Sequence, residues 1–186
     1  MKAVILLALF VAAHLHCSAA PGHYRYGLQL VDIPEEILGH YPIVWQNHEP
    51  DALGQGILER NVSNQARVNF LMTGGSCRVF ASPRKVADSL GNCEIDLTQN
   101  GSGVKTHFWE SEGLTRAHVE CSWPSGPARS LDCDWPTPES QFLCIGNLFR
   151  PEDRSSLATI PMLSTHFLYH QDNRATFLMV TADRQS

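Results

Sequence analysis

Two short histidine patterns are the closest that this chain comes to a catalytic or metal-binding motif. His118-Val119-Glu120 has the H-x-E form found in zinc deaminases, but the P-C-x-x-C that completes that motif is missing. His166 and His170 have an i, i+4 spacing that converges on a metal only in a helix, and the Phe167–Tyr169 segment between them favours a strand. No G-x-S-x-G, H-E-x-x-H or phosphate-binding glycine loop occurs. We therefore expect no catalytic residue, no metal site and no cofactor, and a secreted enzyme is the least favoured function.

The cysteines indicate disulfide bonds. One of the six, Cys17, lies in an N-terminal segment that we expect to be removed. None of the other five forms the C-x-x-C pair of a zinc site, so structural bridges are the expected role. Five cysteines form at most two bridges and leave one thiol over. That thiol could still be paired if Cys17 is retained or if a partner chain supplies the sixth cysteine. The five candidates are Cys77, Cys93, Cys121, Cys133 and Cys144.

Residues 1–20 have the features of a secretory signal peptide. A positive start at Lys2 is followed by an apolar run, Ala3–Ala13, and by small residues at Cys17–Ala20. His14 and His16 interrupt the apolar run, which stays short of the roughly 20 residues that a membrane span needs. The sequence therefore predicts a secreted, extracellular protein with no membrane span.

Composition and charge narrow the class of partner. The chain has 186 residues, of which 43% are hydrophobic and 18% charged, as in an ordinary globular domain. Its formal net charge is -5, and the lysines are scattered at Lys2, Lys85 and Lys105, so no basic stripe could follow a phosphate backbone. We expect no nucleic acid, and an extracellular protein or receptor as the partner.

Two sequons add a prediction of N-glycosylation. Asn61-Val62-Ser63 and Asn100-Gly101-Ser102 both lie in polar, turn-like stretches, where a glycan would meet solvent. Together with a signal peptide, they make Asn61 and Asn100 candidate acceptors.

The N-terminal third predicts short helical pieces in irregular chain. Pro34-Glu35-Glu36 is typical of a first helical turn, and Asp51 is placed to cap a helix over Ala52–Arg60. Glycines and prolines interrupt every longer candidate.

Beyond residue 66 the apolar residues alternate, which predicts antiparallel strands. The clearest is Thr115–Trp123, whose alternate residues are apolar, and Asn100–Gly103 is a hairpin turn. The expected class is α+β, with a domain at 21–144 and a strand-forming extension at 145–186 that packs on it. The other predicted strands are Ala66–Phe70, Cys93–Leu97, Val104–Phe108, Phe167–Tyr169 and Thr176–Val180.

Several of these segments together resemble the cystatin-like domain, most closely the propeptide domain of cathelicidins and its relative chemerin. The resemblance implies an extracellular domain with a helix wrapped by an antiparallel sheet, with Cys77–Cys93 as the first disulfide. The matching segments are Val68-Asn69-Phe70, Cys77, Cys93-Glu94, Gly103-Val104-Lys105 and Val119-Glu120-Cys121.

The chain departs from this family where the family's function resides. The family's third half-cystine is replaced near Thr106-His107, so Cys121 would have to pair downstream with Cys133 or Cys144. Inhibitory cystatins carry Q-x-V-x-G, and the matching Gln65–Asn69 lacks the glycine that lets backbone enter a protease cleft. We therefore expect a binding or interaction module, with cystatin-type inhibition of cysteine proteases as the alternative.

Aromatic residues are the remaining candidates for recognition. Tyr24, Arg25 and Tyr26, just after the expected cleavage site, form a candidate recognition tip. Trp123 and Trp135, in a repeated C-x-W-P pattern, are two more candidates. For the tryptophans, however, a role as core or domain-edge anchors is favoured over recognition.

Overall fold

The chain forms antiparallel β-sheets in a computed structural model. The described residues contain eleven strands and no helix, and hence no helix that could cross a membrane. The expected α+β class with an N-terminal helical segment is therefore wrong. The described residues are 24–34, 43–46, 52–60, 78–81, 84–98, 100–124, 126–149 and 174–185.

The strands are divided between two sheets. The larger has seven strands in the order β2-β3-β10-β11-β1-β4, with β5 also pairing with β1, and the smaller is a meander, β6-β7-β8-β9. In chain order the strands are β1 (Tyr24–Pro34), β2 (Val44–Trp45), β3 (Gly54–Glu59), β4 (Arg78–Ala81), β5 (Lys85–Val86), β6 (Cys93–Asp96), β7 (Gly103–Ser111), β8 (Leu114–Ser122), β9 (Arg129–Trp135), β10 (Gln141–Gly146) and β11 (Arg174–Arg184).

The smaller sheet follows the alternation of its sequence. Along β8 every second residue is buried, so Ala117, Val119 and Cys121 face the core while Arg116 and His118 face outward. The predicted strands at Cys93–Leu97, Val104–Phe108 and Thr115–Trp123 are confirmed. The hairpin between the first two is confirmed as well, since Asn100 and Gly101 have φ values of 52° and 77°.

The two sheets share one hydrophobic core. Tyr26 of β1, in the larger sheet, is fully buried and stacks on Phe108 of β7, in the smaller sheet, with ring centroids 4.3 Å apart. Leu28, Leu143 and Val180 of the larger sheet belong to the same buried cluster. Burial of these side chains, at roughly 1.5–3 kcal/mol each, supplies the main force that holds the sheets together.

Side chains also join the sheets at two edges. Lys85 Nζ of β5 donates to the Glu94 carbonyl oxygen of β6 at 2.7 Å. On the other side, Gln55 Nε2 of β3 donates to the Asp134 carbonyl oxygen of β9 at 2.9 Å. The second edge is where a cleft forms.

The face of the larger sheet that points away from the smaller sheet, its outward face, is buried as well. Cys144 and Phe142 of β10 and Phe177 and Met179 of β11 lie on this face and are at most 5% exposed. The pairing places β11 between β1 and β10, so the last strand of the chain is in the middle of this sheet. The predicted strand at Thr176–Val180 is thereby confirmed.

The helix expected over Ala52–Arg60 is wrong, because this segment contains β3. Gly56 pairs with Trp45, and a Cβ on Gly56 would lie only 2.8 Å from the indole. Gly56 therefore serves a strand, since backbone without a side chain receives the Trp45 ring. Pro34 ends β1, and residues 35 and 36 lie outside the described residues.

No disulfide joins any two of the described cysteines. Cys133 pairs with Ala117 and Cys121 with Arg129, so the two cysteines are four residues out of register, roughly 13 Å along the strands. A disulfide needs Cα atoms about 4.4–6.8 Å apart, which this register does not allow. The alternative pairing, Cys121–Cys144, is not formed either. Cys121 faces the core, whereas Cys144 lies on the face of the larger sheet that points away from the core.

Of the first expected bridge, Cys77–Cys93, only Cys93 lies among the described residues. Cys93 is a buried thiol that donates to the Lys85 carbonyl oxygen, with an S···O distance of 3.8 Å. Cys77 lies outside the described residues, as do the strands expected at Ala66–Phe70 and Phe167–Tyr169 and the Gln65–Asn69 segment.

Candidate functional site

A cleft of about 540 Å³ lies where the β2–β3 edge of the larger sheet approaches β9 of the smaller sheet. Its volume is in the range of small-molecule sites. We call it the β9 cleft. Its lining residues are Gln46, Gln55, Trp109, Arg116, Asp132, Cys133 and Asp134.

The outward face of the smaller sheet supplies one side of the cleft. Trp109, Arg116 and Asp134 are directly paired across β7, β8 and β9, so their side chains form one row. Arg116 Nε lies 3.3 Å from Asp134 Oδ1, and Arg116 Nη2 lies 3.5 Å from Glu112 Oε2. The first pair lacks the alignment of a hydrogen bond, so it is held by charge alone. The row therefore places an indole, a guanidinium and a carboxylate side by side.

A second row of paired residues lies on the same face of the sheet, two residues away along each strand. Here Glu94, His107, His118 and Asp132 are opposite one another on β6 to β9. His118 Nδ1 is 2.7 Å from Asp132 Oδ1, which fixes the carboxylate at the rim of the cleft. His107 stacks beside Trp109, with ring centroids 5.4 Å apart. The Trp109 indole thus packs against a neighbouring side chain of the same strand, β7.

The larger sheet supplies the opposite wall through two glutamines. Gln55 is only 6% exposed, and its amide is held by the bond to the Asp134 carbonyl oxygen. Gln46 follows the short strand β2 and donates its backbone N–H to the Gln55 carbonyl oxygen at 2.7 Å. Trp45 anchors this strand by lying on Gly56 and Gly146. The Gln55 amide is therefore presented by strand backbone, and Gln46, at a bend just after β2, is held by its backbone bond to Gln55.

Burial determines the chemistry of the one thiol that lines the cleft. It raises the pKa of Cys133 to about 12, and the neighbouring carboxylates of Asp132 and Asp134 raise it further. A thiol with such a pKa is protonated at neutral pH and is a poor nucleophile. Among the described residues no group of three or more His, Cys, Asp or Glu could hold a metal ion. The side chains that line the cleft offer hydrogen-bonding groups and one indole ring.

Three of the five candidate recognition residues lie in the core, which for the two tryptophans agrees with the expected role as anchors. Tyr26 and Trp135 are fully buried in the core, and Trp123 is 6% exposed with its indole N–H donating to the Leu148 carbonyl oxygen at 2.7 Å. Tyr24 is half-buried, and its hydroxyl donates to Glu139 Oε1 at 3.2 Å, while exposed Arg25 bonds Gln185 Oε1 at 2.9 Å. These two lie on β1, away from the residues that line the cleft.

The other predicted sites are distributed as follows. Asn100 is exposed in its hairpin turn, which suits a glycan acceptor, and Asn61 lies outside the described residues. His118 and Glu120 face outward on β8, as the alternation predicts, and His118 bonds Asp132. His166 and His170 lie outside the described residues.

The residues of the cleft itself were not identified from the sequence. One signal was available for Trp109, since it alternates with buried Phe108 on a strand whose other face is the core. A tryptophan on the outward face of a half-buried strand is a candidate for binding. No such signal existed for Gln46 and Gln55, which reach the site only through the pairing of distant strands.

Comparisons of the chain with protein-family models, with curated proteins and with solved structures found no match in any of the three. The function has to be argued from the β9 cleft.

Proposed function

We propose that this protein is an exported, non-catalytic binding protein whose ligand occupies the β9 cleft. The observation that carries the proposal is the cleft itself, about 540 Å³ in volume, where side chains from both sheets converge. The lining combines the half-buried ring of Trp109 with mostly polar side chains, so a ligand would be held mainly by hydrogen bonds.

Export is supported by the sequence rather than by the fold. The apolar segment before residue 20 and the two sequons favour an extracellular protein. The described cysteines add no support, because no disulfide joins any two of them. Nothing in the described part of the chain favours the cysteine-protease inhibitor alternative, because two sheets replace the helix and sheet on which it depended.

The proposal is tested by thermal-shift measurements with a chemically diverse panel of small molecules. A compound that binds the folded state raises the midpoint of unfolding by mass action. We expect at least one compound to stabilise the wild-type protein and Leu90→Ala, which changes an exposed side chain away from the cleft. The same compound should fail to stabilise Trp109→Ala.

Equal stabilisation of wild type and Trp109→Ala would place the ligand elsewhere and contradict the proposal. A panel without a single binder would contradict it as well. Circular dichroism of the unliganded variants shows that Trp109→Ala is folded before its binding is interpreted.

A further inference from the structure

We infer that the ligand of the β9 cleft is a neutral saccharide whose ring stacks on Trp109. The inference rests on the proposed function and specifies the chemical class of the ligand. It follows from three properties of the lining residues, which are an aromatic surface, a mixture of donors and acceptors, and charges of both signs.

Trp109 offers the aromatic surface. Its side chain is half-buried, on the outward face of β7, and His107 packs beside it. The face of an indole carries negative charge density. One side of a pyranose ring presents C–H bonds polarised by the neighbouring oxygens, so its positive hydrogens complement that face.

The polar side chains around Trp109 suit hydroxyl groups. A sugar hydroxyl both donates and accepts, and therefore needs acceptors and donors close together. Asp134 supplies carboxylate oxygens, Arg116 at 3.3 Å from it supplies N–H groups, and the amides of Gln46 and Gln55 supply both. Adjacent hydroxyls on a ring can engage an adjacent carboxylate and guanidinium at the same time.

The charges of the cleft disfavour ionic ligands. Two carboxylates, Asp132 and Asp134, repel an anion. A cation meets the Arg116 guanidinium beside the indole. Arg116 Nε already lies 3.3 Å from Asp134 Oδ1, and Asp132 Oδ1 lies 2.7 Å from His118 Nδ1. A neutral ligand avoids both repulsions, whereas a charged one would have to displace an existing pair.

The arrangement is held in place without a ligand. Trp109, Arg116, Asp132 and Asp134 all stand on paired strands, and Gln55 is fixed by its 2.9 Å bond to β9. Groups on strands hold their positions better than groups on loops, which lowers the entropy that binding must overcome.

Saturation-transfer NMR with small probes tests the inference on the full-length mature protein. The neutral probes are the methyl glycosides of glucose, galactose and mannose and free N-acetylglucosamine, and the charged probes are tyramine and glucuronate. For a single ring we expect a dissociation constant on the order of 1 mM. Saturation should be strongest at the C–H protons of one side of the ring, because that side lies on the indole.

Variants locate the binding. Trp109→Ala should weaken saccharide binding at least tenfold, Trp109→Phe should retain most of it, and Asp134→Asn should weaken it by removing a charged acceptor. Leu90→Ala should bind as wild type does. Saccharide binding that is unchanged in Trp109→Ala overturns the inference.

The two proposals fail in different ways. If tyramine or another panel compound binds in a Trp109-dependent manner and no saccharide does, the saccharide inference is wrong and the binding function stands. If neither the probes nor the panel binds, the binding function is wrong and the inference falls with it.

Discussion

Burial keeps two thiols protonated far above their ordinary pKa of 9.0. It raises the pKa of Cys144 to about 12, and burial together with Asp132 and Asp134 raises that of Cys133 to about 12. Between pH 9 and 12 the unfolded chain releases these protons while the folded chain keeps them. The free energy of unfolding is therefore unaffected by these thiols below pH 9 and falls as the pH rises above it.

We expect a loss of about 1.4 kcal/mol for each thiol at pH 10, because each unit of pKa difference corresponds to about that energy. Urea unfolding in the presence of a reductant, at pH 8 and at pH 10, measures the loss. Cys144→Ala should be less stable overall but show a smaller dependence on pH. An unchanged pH dependence in the Cys133→Ala, Cys144→Ala double variant would contradict this assignment.

Tyr26 contributes to stability through its ring rather than its hydroxyl. The ring stacks on Phe108 at 4.3 Å, while the buried hydroxyl makes no hydrogen bond of good geometry. Burial raises the pKa of Tyr26, and the nearby Thr115 side chain lowers it by less. The phenol oxygen is thus poorly solvated in the folded state.

Tyr26→Phe should accordingly leave the free energy of unfolding unchanged or raise it by up to about 1 kcal/mol, because an unsatisfied polar group is removed. Phe108→Ala should lower it by about 3–5 kcal/mol, because the stack is lost and a cavity remains. Urea denaturation measures both. A loss above about 2 kcal/mol in Tyr26→Phe would show that the hydroxyl bonds Thr115 after all.

The β6–β7 hairpin depends on two glycines for different reasons. Gly101 has a φ of 77° with open space around it, so alanine there would be strained only in its backbone. Gly103 has a φ of 142°, and a Cβ there would lie 2.3 Å from the Leu97 carbonyl oxygen, inside the hairpin. Leu97 N–H donates to the Val104 carbonyl oxygen at 2.8 Å beside it.

Gly101→Ala should lower the free energy of unfolding by about 1–2 kcal/mol. Gly103→Ala should lower it by clearly more, because the hairpin has to open to admit the methyl group. Urea unfolding of the two variants side by side checks this order. Equal losses would mean that the backbone at Gly103 relaxes without disturbing the pairing.

The alternation of polar and apolar residues predicts the strands that have one solvent-exposed face, but it does not predict β1 and β3 of the larger sheet. Along β7 and β8 polar and apolar residues alternate, because one side of the smaller sheet faces solvent. Irregular chain is predicted where β1 lies, although Tyr26, Leu28 and Leu30 alternate along this strand towards the core. The sequence predicts a helix where β3 lies, with Asp51 as its cap, and the contact of Gly56 with the Trp45 ring exists only in the folded chain. A glycine in the sequence lowers the helix propensity of its segment but does not identify the side chain that packs on it in the folded protein.

The cleft lay beyond prediction because it depends on how distant strands are arranged. Gln46 and Gln55 come from the N-terminal third, and Asp132 and Asp134 from the far edge of the smaller sheet. A pattern of period two gives the face of each residue but not the neighbour of each strand. The order β2-β3-β10-β11-β1-β4 contains pairings between the two ends of the chain that no local signal specifies.

The position of β11 makes the end of the chain part of the fold. β11 pairs with β1 over eleven residues of each strand and with β10 on its other side. Both of its faces are buried, through Phe177 and Met179 outward and Leu178 and Val180 inward. A chain that ends at residue 173 should therefore fail to unfold cooperatively, because β1 and β10 would each expose an unpaired edge. A chain that lacks only Gln185 and Ser186 should fold normally.

A rearranged chain separates the loss of this strand from a general effect of truncation. In the antiparallel register Tyr24 lies opposite Arg184, so the end of β11 is adjacent to the start of β1. Residues 174–185, placed ahead of residue 24 through a short glycine-containing turn, should restore β11 between β1 and β10 as the first strand of a hairpin. Cooperative urea unfolding and dispersed amide NMR signals should return in this variant and stay absent from the simple truncation. A truncated chain that unfolds cooperatively without β11, or a rearranged chain that stays unfolded, would contradict the central position of this strand.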